Sequence, residues 1–173
     1  MNDPDLKLLY SEAFISQQVN RLAEEINGDY EGRELLIICV LKGGVIFLSD
    51  LVRRLTVPLK IDFVQLASYG EGTESQGVVE LRKNFDSSMR GKDVLIVEDI
   101  VDSGFSMEFL SQRILNQTPN SLKACVFLDK KARRKVPFEP DYVGISVEDA
   151  FLVGYGLDLD EKYRNLPGIY SKG

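Results

Sequence analysis

Val94-Leu95-Ile96-Val97-Glu98-Asp99-Ile100-Val101-Asp102-Ser103-Gly104-Phe105-Ser106 reads as a strand, two acids, a turn and the start of a helix. Val94 to Val97 form the strand, and Glu98 and Asp99 cap its carboxyl end. The turn that follows leads into a helix from about Ser106 to Asn116. Unpaired N–H groups at the start of that helix, its dipole, and the Ser103 and Ser106 hydroxyls all favour an anion, phosphate above others. The segment has neither the lysine nor the spacing of a Walker loop, and it is not GxGxxG. A phosphate cradle preceded by two acids suits a ligand that carries a phosphate and, close by, hydroxyls or a divalent cation. Ribose 5-phosphate has that layout. An isolated D-S-G-x-S is more often a simple helix cap, but the strand-end acids in front of it reverse that balance.

Working outward, Leu35 to Leu41 is a continuous apolar run of strand length, as in a parallel sheet covered on both faces. Before it, Phe14, Ile15, Val19, Leu22 and Ile26 mark an amphipathic helix over 11–26, which Asn27-Gly28 should end. After it, Lys42-Gly43-Gly44 breaks the strand, and a second helix is expected to run on until Pro58. Further strands are expected at Ile61–Ala67, Val78–Leu81, Ala124–Leu128 and Tyr142–Val147. Ser68 to Gly77, rich in glycine, serine, threonine and glutamate, reads as a mobile loop. A last apolar run, Phe151 to Tyr155, precedes a polar tail. Strands alternating with helices imply an α/β fold: one domain over 1–173, with a central, mainly parallel sheet flanked by helices. Ligands in such sheets bind beyond the carboxyl ends of the strands.

Composition narrows the chemistry. The 173 residues carry 21 basic and 27 acidic side chains, a net charge of −6. That balance argues against a chain that wraps nucleic acid. With no histidine, Ser-His-Asp triads, Cys-His pairs and His-containing zinc sites are excluded. Proton transfer falls to Asp, Glu, Lys, Tyr or Cys. Cys39 and Cys125 lie in apolar runs and read as buried thiols. No stretch approaches the ~20 apolar residues of a membrane helix, and the polar N-terminus is unlike a signal peptide. A soluble, cytoplasmic chain with no membrane partner is the expectation.

The 94–106 segment resembles the phosphoribosyl-pyrophosphate motif of type I phosphoribosyltransferases, closest to the branch that acts on hypoxanthine and guanine. Leu41-Lys42-Gly43-Gly44, Ser68-Tyr69-Gly70, Leu128-Asp129-Lys130 and Phe151 to Arg164 extend the likeness over nearly the whole chain after Leu35. The resemblance implies a small hood built from the N- and C-terminal segments. It implies that Glu98 and Asp99 hold the ribose hydroxyls, directly or through Mg²⁺, and that Asp102 is the general base facing N7 of the purine. The turn Asp102, Ser103, Gly104, Phe105, Ser106 would bind the 5-phosphate, with Phe105 in a slot that is often small, polar or basic. Lys42 and Gly43 would form the pyrophosphate loop, often with a non-proline cis peptide before the lysine, and Arg164 would also bind pyrophosphate. Lys130 would contact the purine 6-oxo group; Phe151 would stack on the base and Leu152 would meet its edge through the backbone. Asp158 would lie near the base and a second Mg²⁺. Ser68 and Tyr69 would begin the loop that closes over the substrates and excludes water. Lys131 to Lys135 reads as a solvated charged face; relatives often have proline at the place of Lys131.

The implied reaction joins the 5-phosphoribosyl group of phosphoribosyl pyrophosphate to N9 of a 6-oxopurine and releases pyrophosphate. Family habit suggests a homodimer or homotetramer. A regulator on the same fold that binds RNA or senses purines is the competing reading, disfavoured by the acidic charge and the full set of site residues. Transfer to another base is the other alternative; Lys130 is a donor and suits a 6-oxo acceptor rather than adenine's amino group.

Overall fold

The structure, a computed structural model, describes residues 4–69 and 78–173. The elements are β1 (Leu6–Tyr10), α1 (Glu12–Asp29), β2 (Leu35–Leu41), α2 (Gly44–Val52), β3 (Leu59–Tyr69), β4 (Val78–Lys83), β5 (Asp93–Val101), α3 (Phe105–Leu115), β6 (Ser121–Asp129), β7 (Tyr142–Ser146), β8 (Leu152–Val153) and β9 (Ile169–Lys172), with a 3₁₀ turn at Lys131–Arg133. Six strands form one sheet in the order β4-β3-β2-β5-β6-β7. Only β4 runs antiparallel to its neighbour.

The apolar runs of β2, β5 and β6 follow from burial on both faces. Leu35, Ile37, Cys39, Leu95, Val97 and Phe127 face α1 and α2. Leu36, Ile38, Val40, Val94, Ile96 and Val126 face α3 together with Phe85 and Met89. Successive side chains of a strand point to opposite faces, so the central positions of these strands are buried on both sides. Cys39 and Cys125 are both free and buried, and burial pushes both thiols up.

From β2 the chain crosses to β3 on one side, whereas from β5 it crosses to β6 and β7 on the other. The reversal between β2 and β5 opens a crevice at their carboxyl ends, the position where open α/β sheets bind ligands. A second sheet, β1-β9-β8, is antiparallel. It joins the two ends of the chain and is the expected hood.

Several boundaries differ from the expectation. Helix α1 continues through Asn27 and Gly28 to Asp29 because Ile26 is fully buried and its carbonyl is capped by the Tyr30 N–H. Helix α2 stops at Val52, well short of Pro58. Strand β5 does not end at Val97: it remains paired with β6 through Val101, so Glu98 and Asp99 lie within the strand rather than after it. The supposed polar tail contains β9. Ser68 and Tyr69 are the last residues of β3, paired with Val79 and Val78, and the rest of the expected closing loop, 70–77, lies outside the described residues.

Asp62 shows how a buried acid is kept in β3. Its Oδ2 accepts from the Asp86 N–H (2.8 Å) and the Ser87 N–H (2.7 Å), and its Oδ1 accepts from its neighbour Phe63 N–H (2.7 Å). Burial alone would raise this carboxyl, but those amides prevail and hold it below the usual range. A group depressed in this way stabilises the fold above its unfolded pKa, and the contribution is lost as pH falls through the lower folded value. Asp62→Asn should cost about 1–3 kcal/mol in urea unfolding at pH 7. The deficit should shrink toward pH 2; an equal deficit at both pH values refutes the account.

Candidate active site

Strand β5 loses its β2 partner after the Cys39–Val97 pair, while its other edge stays bonded to β6. Glu98 and Asp99 therefore sit on a strand with one open edge, and both line a cavity of about 250 Å³ together with Asp102, Ser103, Gly104, Ser106 and Met107. A depression of similar size at the opposite end of the sheet is lined by Arg33, Glu34, Lys60, Lys92 and Asp93. There Lys60 pairs with Glu34 (2.7 Å) and Arg33 with Asp93 (3.6 Å), so much of its charge is spent internally. The carboxyl-end cavity, with its buried acids, is the candidate site.

Burial pushes Glu98 well above the ordinary carboxylate range, and the adjacent Asp99 charge adds to it. Asp99 is raised too, mainly by burial, against the pull of neighbouring hydrogen bonds and the Arg164 charge. The Glu98 carboxylate accepts from the Asp99 N–H, and the Asp99 carboxylate from the Ile100 N–H (2.8 Å). Two acids driven together in a buried place are relieved by a cation. Among the described residues no three acids, cysteines or histidines cluster, so these two fit a divalent ion that takes its other ligands from water and substrate oxygens, the habit of Mg²⁺. Asp158 fits less readily, since its Oδ1 pairs with Arg164 Nη2 (3.0 Å) and its Oδ2 accepts from the Glu161 N–H (2.8 Å).

The turn into α3 is built for an anion. Gly104 caps the helix in the left-handed region and has no side chain with which to cap it, and the start of a helix favours a negative charge. Asp102 Oδ1 is buried without a hydrogen-bond partner among the described residues, although Arg133 Nε stands 3.2 Å away in an ion pair. Arg133 also lies 3.6 Å from Asp149, which in turn lies 3.9 Å from Lys130 Nζ.

Three backbones converge across the crevice. The Leu41–Lys42 peptide is cis, as the resemblance implies. A Cβ on Gly43 would fall inside the Asp99 carboxylate, and one on Gly156, whose φ is +98°, would overlap the Gly43 carbonyl oxygen. Glycine at both positions lets the 154–157 turn, the 42–44 turn and β5 touch. Arg164 Nη1 donates to the Gly156 carbonyl (2.8 Å), and Tyr155 donates to Asp50 of α2 (2.8 Å).

The residues that the resemblance assigns to the base gather around β8. Lys130 Nζ is buried and donates to the Ala150 carbonyl (2.6 Å). Phe151 is 46% exposed, whereas the adjacent Leu152 is buried in β8. The structure thus brings Lys130 to the loop before Phe151, and Lys42, Asp158 and Arg164 into one charged cluster with Glu161. Arg164 lies in that cluster rather than in a solvated tail.

The basic stretch Lys131 to Lys135 is not uniformly a solvated face. Arg134 pairs with the fully buried Asp129, and its Nε donates to the Asp102 carbonyl (3.1 Å). The Lys135 N–H donates to the Ser103 carbonyl (2.9 Å). This segment supports the turn at 102–104 from below. The readable signal was Asp129, an acid at the end of an apolar strand that needs a buried cation. Arg134→Met, which strands that acid, should cost about 3–5 kcal/mol by urea unfolding. Replacing Asp129 with leucine in the same chain should recover most of the loss; no recovery refutes the pairing as the cause.

A family model described as "Phosphoribosyl transferase domain" matches residues 8–160. The chain is 47% identical over 166 residues to a hypoxanthine-guanine phosphoribosyltransferase of Aquifex aeolicus, covering 95% of this chain and 93% of the relative. It is 42% identical to the Bacillus subtilis protein of the same name, covering 94% and 91%. Its fold superposes on a crystal structure of a hypoxanthine phosphoribosyltransferase from Staphylococcus aureus with a TM-score of 0.95 at 41% identity, covering 100% of this chain and 96% of that one.

Proposed function

The chain belongs to the phosphoribosyltransferase family, and from that premise we propose that it is a purine-salvage enzyme. It transfers the 5-phosphoribosyl group of phosphoribosyl pyrophosphate to N9 of hypoxanthine or guanine, giving IMP or GMP and pyrophosphate. The observation that carries this reading is the cavity that Glu98, Asp99, Asp102 and the 103–106 turn line together. Its acids suit the hydroxyls of a ribose and the helix start suits a phosphate, while Asp102, whose Oδ1 is 3.2 Å from Arg133 Nε, is the carboxylate left to meet a ring N–H of a bound purine.

In the proposed complex the α3 amides and the 102–106 turn hold the 5-phosphate. Glu98 and Asp99 grip the ribose hydroxyls and fit Mg²⁺, which when bound supplies positive charge to the diphosphate. Lys130 reads the 6-oxo group, Phe151 covers the base and the Leu152 backbone meets its edge. Lys42, Gly43 and Arg164 receive the diphosphate as C1–O cleavage puts negative charge on it. Asp158, to serve a second Mg²⁺, would have to release Arg164. As N9 bonds to C1, Asp102 accepts the proton from N7, a role open to a carboxylate in a chain without histidine. Ser68 and Tyr69, at the end of β3, stand where a closing segment would begin. Assembly as a homodimer or homotetramer and a cytoplasmic location are part of the same reading.

Pyrophosphate release from phosphoribosyl pyrophosphate and Mg²⁺, measured with each purine in turn, tests the reading. Hypoxanthine and guanine should support turnover and adenine should not; release with no base would sink it. Asp102→Asn should lower kcat by about 10²–10⁴-fold while IMP binding, measured by calorimetry, changes little. Unchanged kcat removes Asp102 from the mechanism.

A further inference from the structure

The charged cluster at the crevice holds an anion of its own. Lys42 Nζ donates to Glu161 Oε2 (3.0 Å), and the same oxygen lies 3.4 Å from Arg164 Nη2, which also pairs with Asp158 Oδ1 at 3.0 Å. These are the two cations that the reading above assigns to pyrophosphate, on which this inference rests. We propose that Glu161 is an internal stand-in for pyrophosphate: its carboxylate occupies the Lys42–Arg164 pair when the site is empty, is displaced when the diphosphate enters, and returns as the product leaves.

Three observations support displacement over a fixed structural tie. First, the carboxylate offers these cations what a diphosphate oxygen offers, a charged acceptor within reach of both. Second, the pair is exposed on both sides, Lys42 at 54% and Glu161 at 63%. Glu161 can therefore swing into water without breaking any buried contact, and an exposed ion pair of this kind is weak enough to be exchanged. Third, the backbone brings the side chain there by an uncommon route. Asp160 and Glu161 are consecutive non-glycine residues in the left-handed region (φ 50° and 61°), and the Glu161 N–H is anchored on Asp158. Such conformations persist where the surrounding structure imposes them, and they gather at functional sites. The Lys42 hydrogen bond, followed by the nearby charges of Lys42 and Arg164, keeps the Glu161 carboxyl below its ordinary range, so it is a full anion at neutral pH.

Two consequences follow for the reaction. In the empty site Lys42 and Arg164 are already drawn together by a common counter-ion rather than dispersed, so the incoming diphosphate meets an arranged receptor. At the end of the cycle a carboxylate tethered a few ångströms away competes with pyrophosphate for the same two cations, which opposes product retention. Glu161 is on this account a residue that sets diphosphate affinity through Lys42 and Arg164, with no part in the bond changes at C1.

Glu161→Gln keeps the shape and removes the charge. In the full chain with Mg²⁺, calorimetric affinity for pyrophosphate should tighten about two- to fivefold, the range an exposed ion pair allows, and the product-inhibition constant should fall with it. Affinity for IMP, which has no diphosphate, should stay within error. Glu161→Asp, too short to reach both cations, should fall between the two proteins. Unchanged or weaker pyrophosphate binding in Glu161→Gln overturns the proposal, as does an equal change in pyrophosphate and IMP binding, which would mark a structural role. Failure of the underlying reading looks different: the unaltered protein would then neither bind pyrophosphate nor release it with any purine.

Discussion

The site depends on a contact that side chains would forbid. Gly156 rests on the Gly43 carbonyl and Gly43 rests on the Asp99 carboxylate, so the hood, the turn after β2 and the open end of β5 are pressed into one stack. The sheet opens this crevice because the chain leaves β2 and β5 in opposite directions, but the reversal alone would give only a gap. The two glycines narrow it until cationic groups on one wall and buried acids on the other can act on a single ligand. Arg164 spans the stack, bonded to Gly156 and close enough to Asp99 to pull on its titration.

Charge in the crevice is arranged to be incomplete. On the β5 wall, Glu98 and Asp99 carry more negative charge than their burial favours, and both are pushed up in consequence. At the start of α3, the cap residue Gly104 offers no side-chain acceptor to the first-turn amides. In the proposed complex a phosphorylated sugar and its divalent cation would meet both walls: hydroxyls or the cation for the acids, and the phosphate for the amides. Holding such a site open costs stability, and the double-faced apolar packing of β2, β5 and β6 supplies the compensating burial.

Much of this was legible because the informative residues are local. The β5 strand, its two acids, the turn and α3 are contiguous, and the uninterrupted apolar character of Leu35 to Leu41 announced burial on both faces. The hood was readable only through resemblance. Leu6–Tyr10 has no fully buried residue and β9 has one, Ile169, so neither shows the alternation that marks a strand packed on a core. The boundary of β5 was misplaced because charge was taken as a sign of loop, whereas β6 continues to bond the strand beyond the point at which apolar residues end. Arg134 departs from the expected solvated face for a related reason. Within Lys131 to Lys135 only Lys131 and Lys135 among the basic residues are exposed, and its partner Asp129, five residues back and fully buried, is what distinguishes it.

The hood also bears on the order in which the molecule is put together. Its pairing of Leu6 with Lys172 joins segments far apart in sequence, whereas β2, α2 and β3 follow one another directly. Closing so long a loop is entropically unfavourable until other contacts have drawn its ends together. The sheet and its helices are therefore the scaffold that holds Leu6 and Lys172 near enough for the hood to close.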